Sequence, residues 1–127
     1  MNNSTETPVV LITGAARRIG AVTAELFHDA GYTVIIHYNR STADADRLCE
    51  KFNQLRADSC LLVQSDLNDM AGIEKIIQLV GSIGRLDVLI NNAGISMRAI
   101  FNETDLNVIR EVMDINFFGM VNCTKYA

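Results

Sequence analysis

The 127-residue sequence is poor in several features that define whole classes of protein. It has one proline and no tryptophan, and no apolar run approaches the ~20 residues that a membrane span needs. The three cysteines, Cys49, Cys60 and Cys123, are far apart and form no C-x-x-C pair. This scatter predicts neither a disulfide framework nor a metal site, and it favours reduced thiols in a cytoplasmic protein.

Positive charge is also scarce. Eleven Lys and Arg residues stand against 15 Asp and Glu residues, and the net charge of −4 argues against a nucleic-acid partner. Residues 1–7 are polar, include Glu6 and lack the apolar centre of a secretion signal, so they are predicted to form a disordered tail. The remaining residues, 8–127, are enough for one domain that buries about two-thirds of its unfolded surface.

Short apolar runs alternate with helical spacing along residues 8–127. Four compact runs predict buried strands at 8–12, 33–37, 60–64 and 86–90. Apolar residues at steps of three and four follow each run and predict four helices. The predicted stripes are Ile19/Val22/Leu26/Ala30, Ala45/Leu48/Phe52/Leu55, Met70/Ile73/Ile76 or Ile77/Val80 and Ile109/Val112 or Met113/Asn116/Met120.

Four strand–helix repeats predict parallel strands with helices on both faces of the sheet. The expected fold class is therefore α/β, a Rossmann-type doubly wound parallel sheet that is truncated after the fourth strand and its helix. In such a fragment the fourth strand would be an exposed sheet edge, and exposed edges promote association.

The turn between the first strand and the first helix carries the clearest chemical signal. Gly14 permits a sharp turn, small residues keep the loop open, and Gly20 allows the helix to pack closely on the sheet. The N-terminus of a helix presents N–H groups and the positive end of its dipole, which together bind phosphate. The turn thus predicts a dinucleotide pyrophosphate site rather than an ordinary tight turn. It reads Thr13-Gly14-Ala15-Ala16-Arg17-Arg18-Ile19-Gly20.

The segment after the second strand indicates which dinucleotide is preferred. A site for NAD usually has an acid here for the ribose hydroxyls, but this chain has none before Asp44. Arg40 can bind a 2′-phosphate through two N–H groups, and Ser41 can donate beside it. Arg17 or Arg18 can add a second cation. The sequence predicts NADP(H) as the preferred cofactor, with NAD(H) as the alternative.

Together these motifs resemble those of the short-chain dehydrogenase/reductase family. The family's Thr-Gly-x-x-x-Gly-x-Gly turn is matched by Thr13, Gly14 and Gly20, with Arg18 in place of the middle glycine. Its later motifs are matched by Ser65-Asp66-Leu67, by Asn91-Asn92-Ala93-Gly94 and by Asn116. The resemblance implies that Asn116 is a catalytic residue. Taken with the turn, it gives these cofactor-binding residues: Thr13, Gly14, Arg17, Arg18, Ile19, Gly20, Asn39, Arg40, Ser41, Asp66, Leu67, Asn92, Ala93 and Gly94.

Within this family, the first sixty or so residues are especially similar to pteridine reductases. The similar segments are Thr13–Gly20 and His37–Ser41, and the similarity implies that Arg18 reaches both the cofactor phosphates and a pterin. The segment Gly94–Met97 departs from that subfamily. The substrate therefore stays open between a pterin and another carbonyl or imine compound.

The family's reaction also requires a Ser after a fifth strand and a Tyr-x-x-x-Lys pair on the next helix, and the 127 residues contain neither. Lys125 and Tyr126 are adjacent, so they point about 100° apart on a helix and cannot replace that pair. We expect the chain alone to be an inactive, cofactor-binding half of an oxidoreductase that acts on a small molecule and forms a homo-oligomer at full length. The alternative is a non-catalytic dinucleotide-binding module.

Overall fold

In the computed structural model, which describes residues 6–127, four parallel strands alternate with helices. Residues 1–5 of the predicted tail lie outside the described residues. The strands are β1 (Val9–Ile12), β2 (Thr33–Tyr38), β3 (Cys60–Gln64) and β4 (Val88–Ile90). The helices are α1 (Arg18–Asp29), α2 (Thr42–Leu55), α3 (Met70–Ile83), α4 (Leu106–Met113) and α5 (Met120–Tyr126), with a 3₁₀ turn at Phe101–Glu103 and a π-helical segment at Asp114–Gly119.

The strand order is β3-β2-β1-β4, which confirms the predicted doubly wound parallel sheet. β1 is central and fully buried, and its Leu11 lies opposite Ile35 of β2 and Leu89 of β4. Because side chains alternate along a strand, the sheet feeds two hydrophobic cores. One core packs against α1 and α2, and the other packs against α3 and α5. β4 is an edge of this sheet, as predicted.

The buried side of α1 differs from the predicted stripe. Gly20, Ala24 and His28 face the core, because small side chains let the helix lie close to the sheet. The imidazole of His28 is accommodated by a 2.7 Å hydrogen bond with the Ser59 hydroxyl and by stacking on Phe52. All four residues that were predicted to form the stripe are instead exposed, namely Ile19, Val22, Leu26 and Ala30.

Only part of the stripe that was predicted for the final helix is covered: Ile109 and Val112 are half-buried in α4, but the prediction fails beyond them. Gly119 and Cys123 are buried, whereas Met113 and Met120 are more than 40% exposed. The π-helical segment explains the difference, because its extra residue shifts the helical register between α4 and α5. Asn116 lies within this segment and is exposed, although the sequence predicted that it would face inward. None of the helices within residues 6–127 is long and apolar enough to cross a bilayer.

Candidate functional site

The four loops that carry the predicted motifs follow the carboxyl ends of the four parallel strands, so they meet at the same end of the sheet. A hollow of about 340 Å³ opens there between the turn after β1 and the loop after β4. It brings together seven residues of the predicted site: Gly14, Arg17, Arg18, Ile19, Gly20, Asn92 and Gly94.

The glycine turn (Thr13–Gly20) has no room for side chains at its first and last glycines. Gly14 has a φ of +62°, and a Cβ there would lie 2.9 Å from Cα of Ala93. A Cβ on Gly20 would overlap the Gly14 carbonyl oxygen and lie 2.6 Å from Nδ2 of Asn92. Arg18 takes the place of the family's middle glycine with a φ of +54°, a left-handed conformation that costs a non-glycine residue about 1 kcal/mol.

Hydrogen bonds join the glycine turn to the loop after β4. The Thr13 hydroxyl accepts the N–H groups of Asn92 and Ala93, both at 3.0 Å. Nδ2 of Asn92 donates to the Gly14 carbonyl at 2.9 Å. Thr13 is only 1% exposed, so its side chain shapes the hollow from behind rather than lining it.

The helices that begin at the carboxyl end of the sheet differ in how their first N–H groups are used. Asp69 accepts a hydrogen bond at the start of α3 and Asp105 accepts one at the start of α4. Among the described residues, no side chain caps α1 after Arg17 or α2 after Ser41. The first N–H groups of a helix have no partner within the helix, so α1 can offer its own to an anion. In α2 the first N–H group, that of Thr42, already donates to the Arg40 carbonyl at 2.9 Å, and only the following ones can serve in this way.

The cationic side chains near these two helix starts are linked by one carboxylate. Nε of Arg17 lies 3.6 Å from Oδ2 of Asp44, which also pairs with Arg47. Arg40 is exposed and borders a second hollow of about 420 Å³. That hollow is also lined by Asn39, Ser41 and Asp66, and by Met97 and Glu111. Sequence reasoning noted Asp44 only as a distant acid and missed its ion pair with Arg17.

The residues after β3 divide between solvent and core. Asp66 is exposed, and its Oδ1 accepts the Asn68 N–H at 2.9 Å, which fixes the carboxylate at the rim of the second hollow. Leu67 is 6% exposed, and its side chain belongs to the core beside α3. Only the backbone of Leu67 is therefore placed to meet a ligand.

Asn116, the predicted catalytic residue, binds the loop after β4 through both the oxygen and the nitrogen of its side-chain amide. Its Oδ1 accepts the Ile95 N–H and its Nδ2 donates to the Ile95 carbonyl, both at 2.8 Å. Oδ1 would also lie 3.2 Å from a Cβ placed on Gly94. The side chain therefore fixes the loop that borders both hollows.

His37 is a site residue that sequence reasoning missed. It ends a β-branched run, is 2% exposed and hydrogen-bonds both the glycine turn and the end of β3. Burial lowers the pKa of its imidazole, and this is partly offset by the Ser65 carbonyl and the Asp66 carboxylate. A lone histidine at the carboxyl end of an otherwise apolar strand was the available signal.

A glycine turn that leads into an uncapped helix beside a parallel sheet is the arrangement of dinucleotide-binding α/β folds. The family model for short chain dehydrogenases matches residues 8–127. The chain belongs to the short-chain dehydrogenase family.

The relatives of this chain are much longer than the chain itself. Pteridine reductase 1 of Leishmania tarentolae is 39% identical over 112 residues, which cover 73% of this chain and 38% of that protein. Dehydrogenase/reductase SDR family member 7B of Xenopus tropicalis is 38% identical over 123 residues, which cover 92% of this chain and 40% of that protein. The chain thus spans about two-fifths of the length of these curated relatives.

A solved structure shares the fold. The crystal structure of a short chain dehydrogenase from Burkholderia cenocepacia, in complex with NADP, superposes with a TM-score of 0.88 at 26% sequence identity. The match covers 94% of this chain and 49% of the other.

Proposed function

We propose that this chain is the cofactor-binding half of an NADP(H)-dependent oxidoreductase that transfers a hydride to a carbonyl or imine carbon of a small molecule. The observation that carries the proposal is the uncapped start of α1 behind a glycine turn that excludes side chains at Gly14 and Gly20. Backbone N–H groups and the helix dipole suit a pyrophosphate at this point. The NADP that accompanies the Burkholderia cenocepacia structure supports this choice of ligand.

The residues around α2 favour NADP(H) over NAD(H). Arg40 and Ser41 follow β2 directly, and α2 begins without a side-chain cap. Arg17 lies on the glycine turn and reaches toward the same helix, as its 3.6 Å contact with Asp44 shows. Guanidinium groups such as those of Arg17 and Arg40, on the two segments next to the start of α2, are suited to a phosphate dianion. The 2′-phosphate is the group that distinguishes NADP(H) from NAD(H).

The cofactor, when bound, supplies the hydride through its nicotinamide ring. The chain's own residues hold it: the glycine turn receives the pyrophosphate, while Asn92 and Gly94 border the same hollow. Asn116 fixes the neighbouring loop through Ile95. The proton for the substrate oxygen must come from another group, because these 127 residues contain no Tyr-x-x-x-Lys pair.

The substrate class is proposed from two observations that point in different directions. Similarity to the Leishmania tarentolae protein, named a pteridine reductase, supports a pterin. Similarity at nearly the same level to Dehydrogenase/reductase SDR family member 7B, whose name specifies no pterin, keeps the broader carbonyl or imine class open. The departing segment Gly94–Met97 borders the second hollow through Ile95, Ser96 and Met97, so it is suited to decide between the two.

Titration of the purified protein with NADPH and NADH tests the choice of cofactor. We expect NADPH to bind more tightly, and Arg40→Asp to weaken NADPH binding about tenfold or more while leaving NADH binding nearly unchanged. Lys51→Glu is a charge-matched control, since it lies about 15 Å along α2 from the proposed phosphate site. Tighter binding of NADH by the unmutated protein would overturn the proposal.

Turnover assays separate the enzyme half from the alternative, a non-catalytic dinucleotide-binding module. We expect the 127 residues to bind NADPH but not to consume it in the presence of pterins or ketones. A chain joined to the second half of a relative should consume NADPH with at least one of these compounds. Tight binding without consumption by the joined chain would favour the module.

We also propose that the complete protein is a homo-oligomer in a reducing, cytoplasmic environment. The exposed apolar side chains of the last helical segments support association; they are Met113, Phe117, Phe118, Met120, Val121 and Tyr126. Three buried, unpaired cysteines are compatible with a reducing compartment. Light scattering on the purified chain checks the association, and a single monomeric species at micromolar concentration would contradict it.

A further inference from the structure

The buried imidazole of His37 connects three strand ends at the candidate site. Its Nδ1 lies 3.1 Å from the Gly14 nitrogen, which donates its N–H, and its Nε2 lies 2.9 Å from the Ser65 carbonyl oxygen. A carbonyl can only accept, so Nε2 must carry a proton, and an N–H can only donate, so Nδ1 must not. The geometry therefore requires the neutral Nε2–H tautomer.

The backbone around His37 repeats this connection. The His37 carbonyl accepts the Ala15 N–H at 2.9 Å, and the Tyr38 carbonyl accepts the Ser65 N–H at 3.0 Å. Gly14 is thereby held from both sides: by His37 through its N–H, and by Asn92 through its carbonyl. Glycine adopts a φ of +62° without strain but is free to adopt many other conformations, so these partners select the conformation of Gly14.

We propose that neutral His37 is a positioning residue for the glycine turn, and that protonation of its Nδ1 releases Gly14 and weakens dinucleotide binding. The inference rests on the proposed function, because it concerns how that same site is held. A protonated Nδ1 would present a donor to the Gly14 N–H, which is also a donor, and the hydrogen bond would be replaced by repulsion. A cofactor held by the backbone of this turn would then lose affinity at acid pH.

Several ionisable groups lie on the segments that meet at this end of the sheet. Asp66, after β3, acts on the imidazole and favours protonation, whereas burial opposes it. The other groups on the surrounding segments form none of the imidazole's described hydrogen bonds; they are Arg17, Arg18, Arg40, Asp69, Lys75, Glu111 and Asp114. The pKa of His37 is lowered from 6.5, so the loss of affinity should begin below about pH 6.5 and grow as the pH falls.

His28 provides a matched control. It is also a 2% exposed histidine whose pKa is lowered by burial. Its Nε2 bonds the hydroxyl of Ser59, which lies just before β3. His28 is therefore at the amino end of the strands, whereas the glycine turn is at their carboxyl end. Replacing His28 can change the stability of the fold and its dependence on pH, but it removes no contact of the turn.

The test measures dissociation constants for NADPH and NADH between about pH 5 and pH 8. NADH is needed because a phosphate monoester itself titrates near pH 6 and NADH has no 2′-phosphate. The proteins compared are the unmutated chain, His37→Asn, His37→Gln and His28→Asn. Asn can still accept from Gly14 without titrating, whereas Gln is better placed to reach Ser65. Circular dichroism at each pH restricts the comparison to folded protein.

For both cofactors we expect the dissociation constant of the unmutated chain to rise at acid pH, approaching a limiting slope of about tenfold per pH unit below the pKa of His37. His37→Asn should flatten this profile, His37→Gln should bind weakly throughout, and His28→Asn should retain the unmutated profile. Nitrogen NMR of the imidazole should show the Nε2–H tautomer at neutral pH.

Two results would overturn the inference: an NADH affinity that is constant with pH, or an unchanged profile in His37→Asn. Failure to bind either cofactor at about pH 8 would instead contradict the proposed function itself. The two proposals therefore fail in distinguishable ways.

Discussion

Arg17 and Asp44 form an ion pair between the glycine turn and α2, with Nε of Arg17 3.6 Å from Oδ2 of Asp44. Both side chains are more than one-third exposed, so the pair itself adds little to stability. Its importance lies in position, because the Asp44 carboxylate stands beside Arg17, one of the cations that are proposed to receive a 2′-phosphate. The same carboxylate also pairs with Arg47. A 2′-phosphate bound as proposed would compete with Asp44 for Arg17.

Replacing Asp44 with Asn should strengthen NADPH binding by a factor of about 2 to 5, the size typical of one exposed charge. NADH binding should be unchanged, because NADH brings no 2′-phosphate to the site. Asp46→Asn on the same helix is the charge-matched control, and calorimetric titration at two salt concentrations is the measurement. Equal gains for the two Asn variants would show that only net charge is involved.

Arg18 allows strain and charge to be separated at one position. Its φ of +54° is unfavourable for any residue with a Cβ. We expect Arg18→Gly to be more stable than Arg18→Ala by about 1 kcal/mol, measured by urea unfolding. Both variants lose the guanidinium, so both should lose the same cofactor affinity. Equal stability of the two variants would show that the turn relaxes without a left-handed residue.

Gly20→Ala should disrupt the contact between α1 and the sheet. The added Cβ would overlap the Gly14 carbonyl oxygen and crowd Nδ2 of Asn92. We expect a loss of about 1 to 3 kcal/mol in the free energy of unfolding, together with weaker cofactor binding. Gly81→Ala is the control, because no atom of the described residues lies within 4 Å of a Cβ there and alanine favours a helix. A neutral Gly20→Ala would contradict the close packing.

The three cysteines should react with thiol reagents only after the chain unfolds. All three are buried, and burial raises the pKa of each thiol, most strongly for Cys60, which neighbours Cys49. The thiolate is the reactive form, so buried and protonated thiols react slowly. Ellman's reagent with and without denaturant measures the difference. Rapid native modification of Cys49 or Cys60 would show that α2 separates readily from β3.

The order of the elements and the parallel sheet were predictable, because strands that are buried on both faces appear in the sequence as continuous apolar runs. Gly31 and Gly84 have a positive φ just beyond α1 and α3, as is typical of the glycines that end helices. Hydropathy gave the wrong face of α1, because that face is selected by small size at Gly20 and Ala24 rather than by apolar area. A periodicity scan cannot separate these two causes.

The candidate site was predictable to the level of its loops and not to the level of its contacts. The positions of the motifs could be predicted from the ends of the strands, because a parallel sheet places all the carboxyl ends of its strands at the same end of the sheet. The bonds of His37 to Gly14 and Ser65 depend on residues 23 and 28 positions away, and no local pattern encodes them. The ion pair of Asp44 with Arg17 has the same origin. Such pairings arise only after the strands are assembled.

The π-helical segment at Asp114–Gly119 accommodates one residue more than a regular α-helix would at this point. Deleting one residue of this segment other than Asn116 should convert it to a regular α-helix without turning α5, because the π-helical turn has already taken up the extra residue. Cys123 would then stay in the core beside α3, although the two bonds between Asn116 and Ile95 would have to adjust. Deleting one residue of α5 before Cys123 should instead rotate Cys123 by about 100° out of that core, and it should be the more damaging of the two deletions.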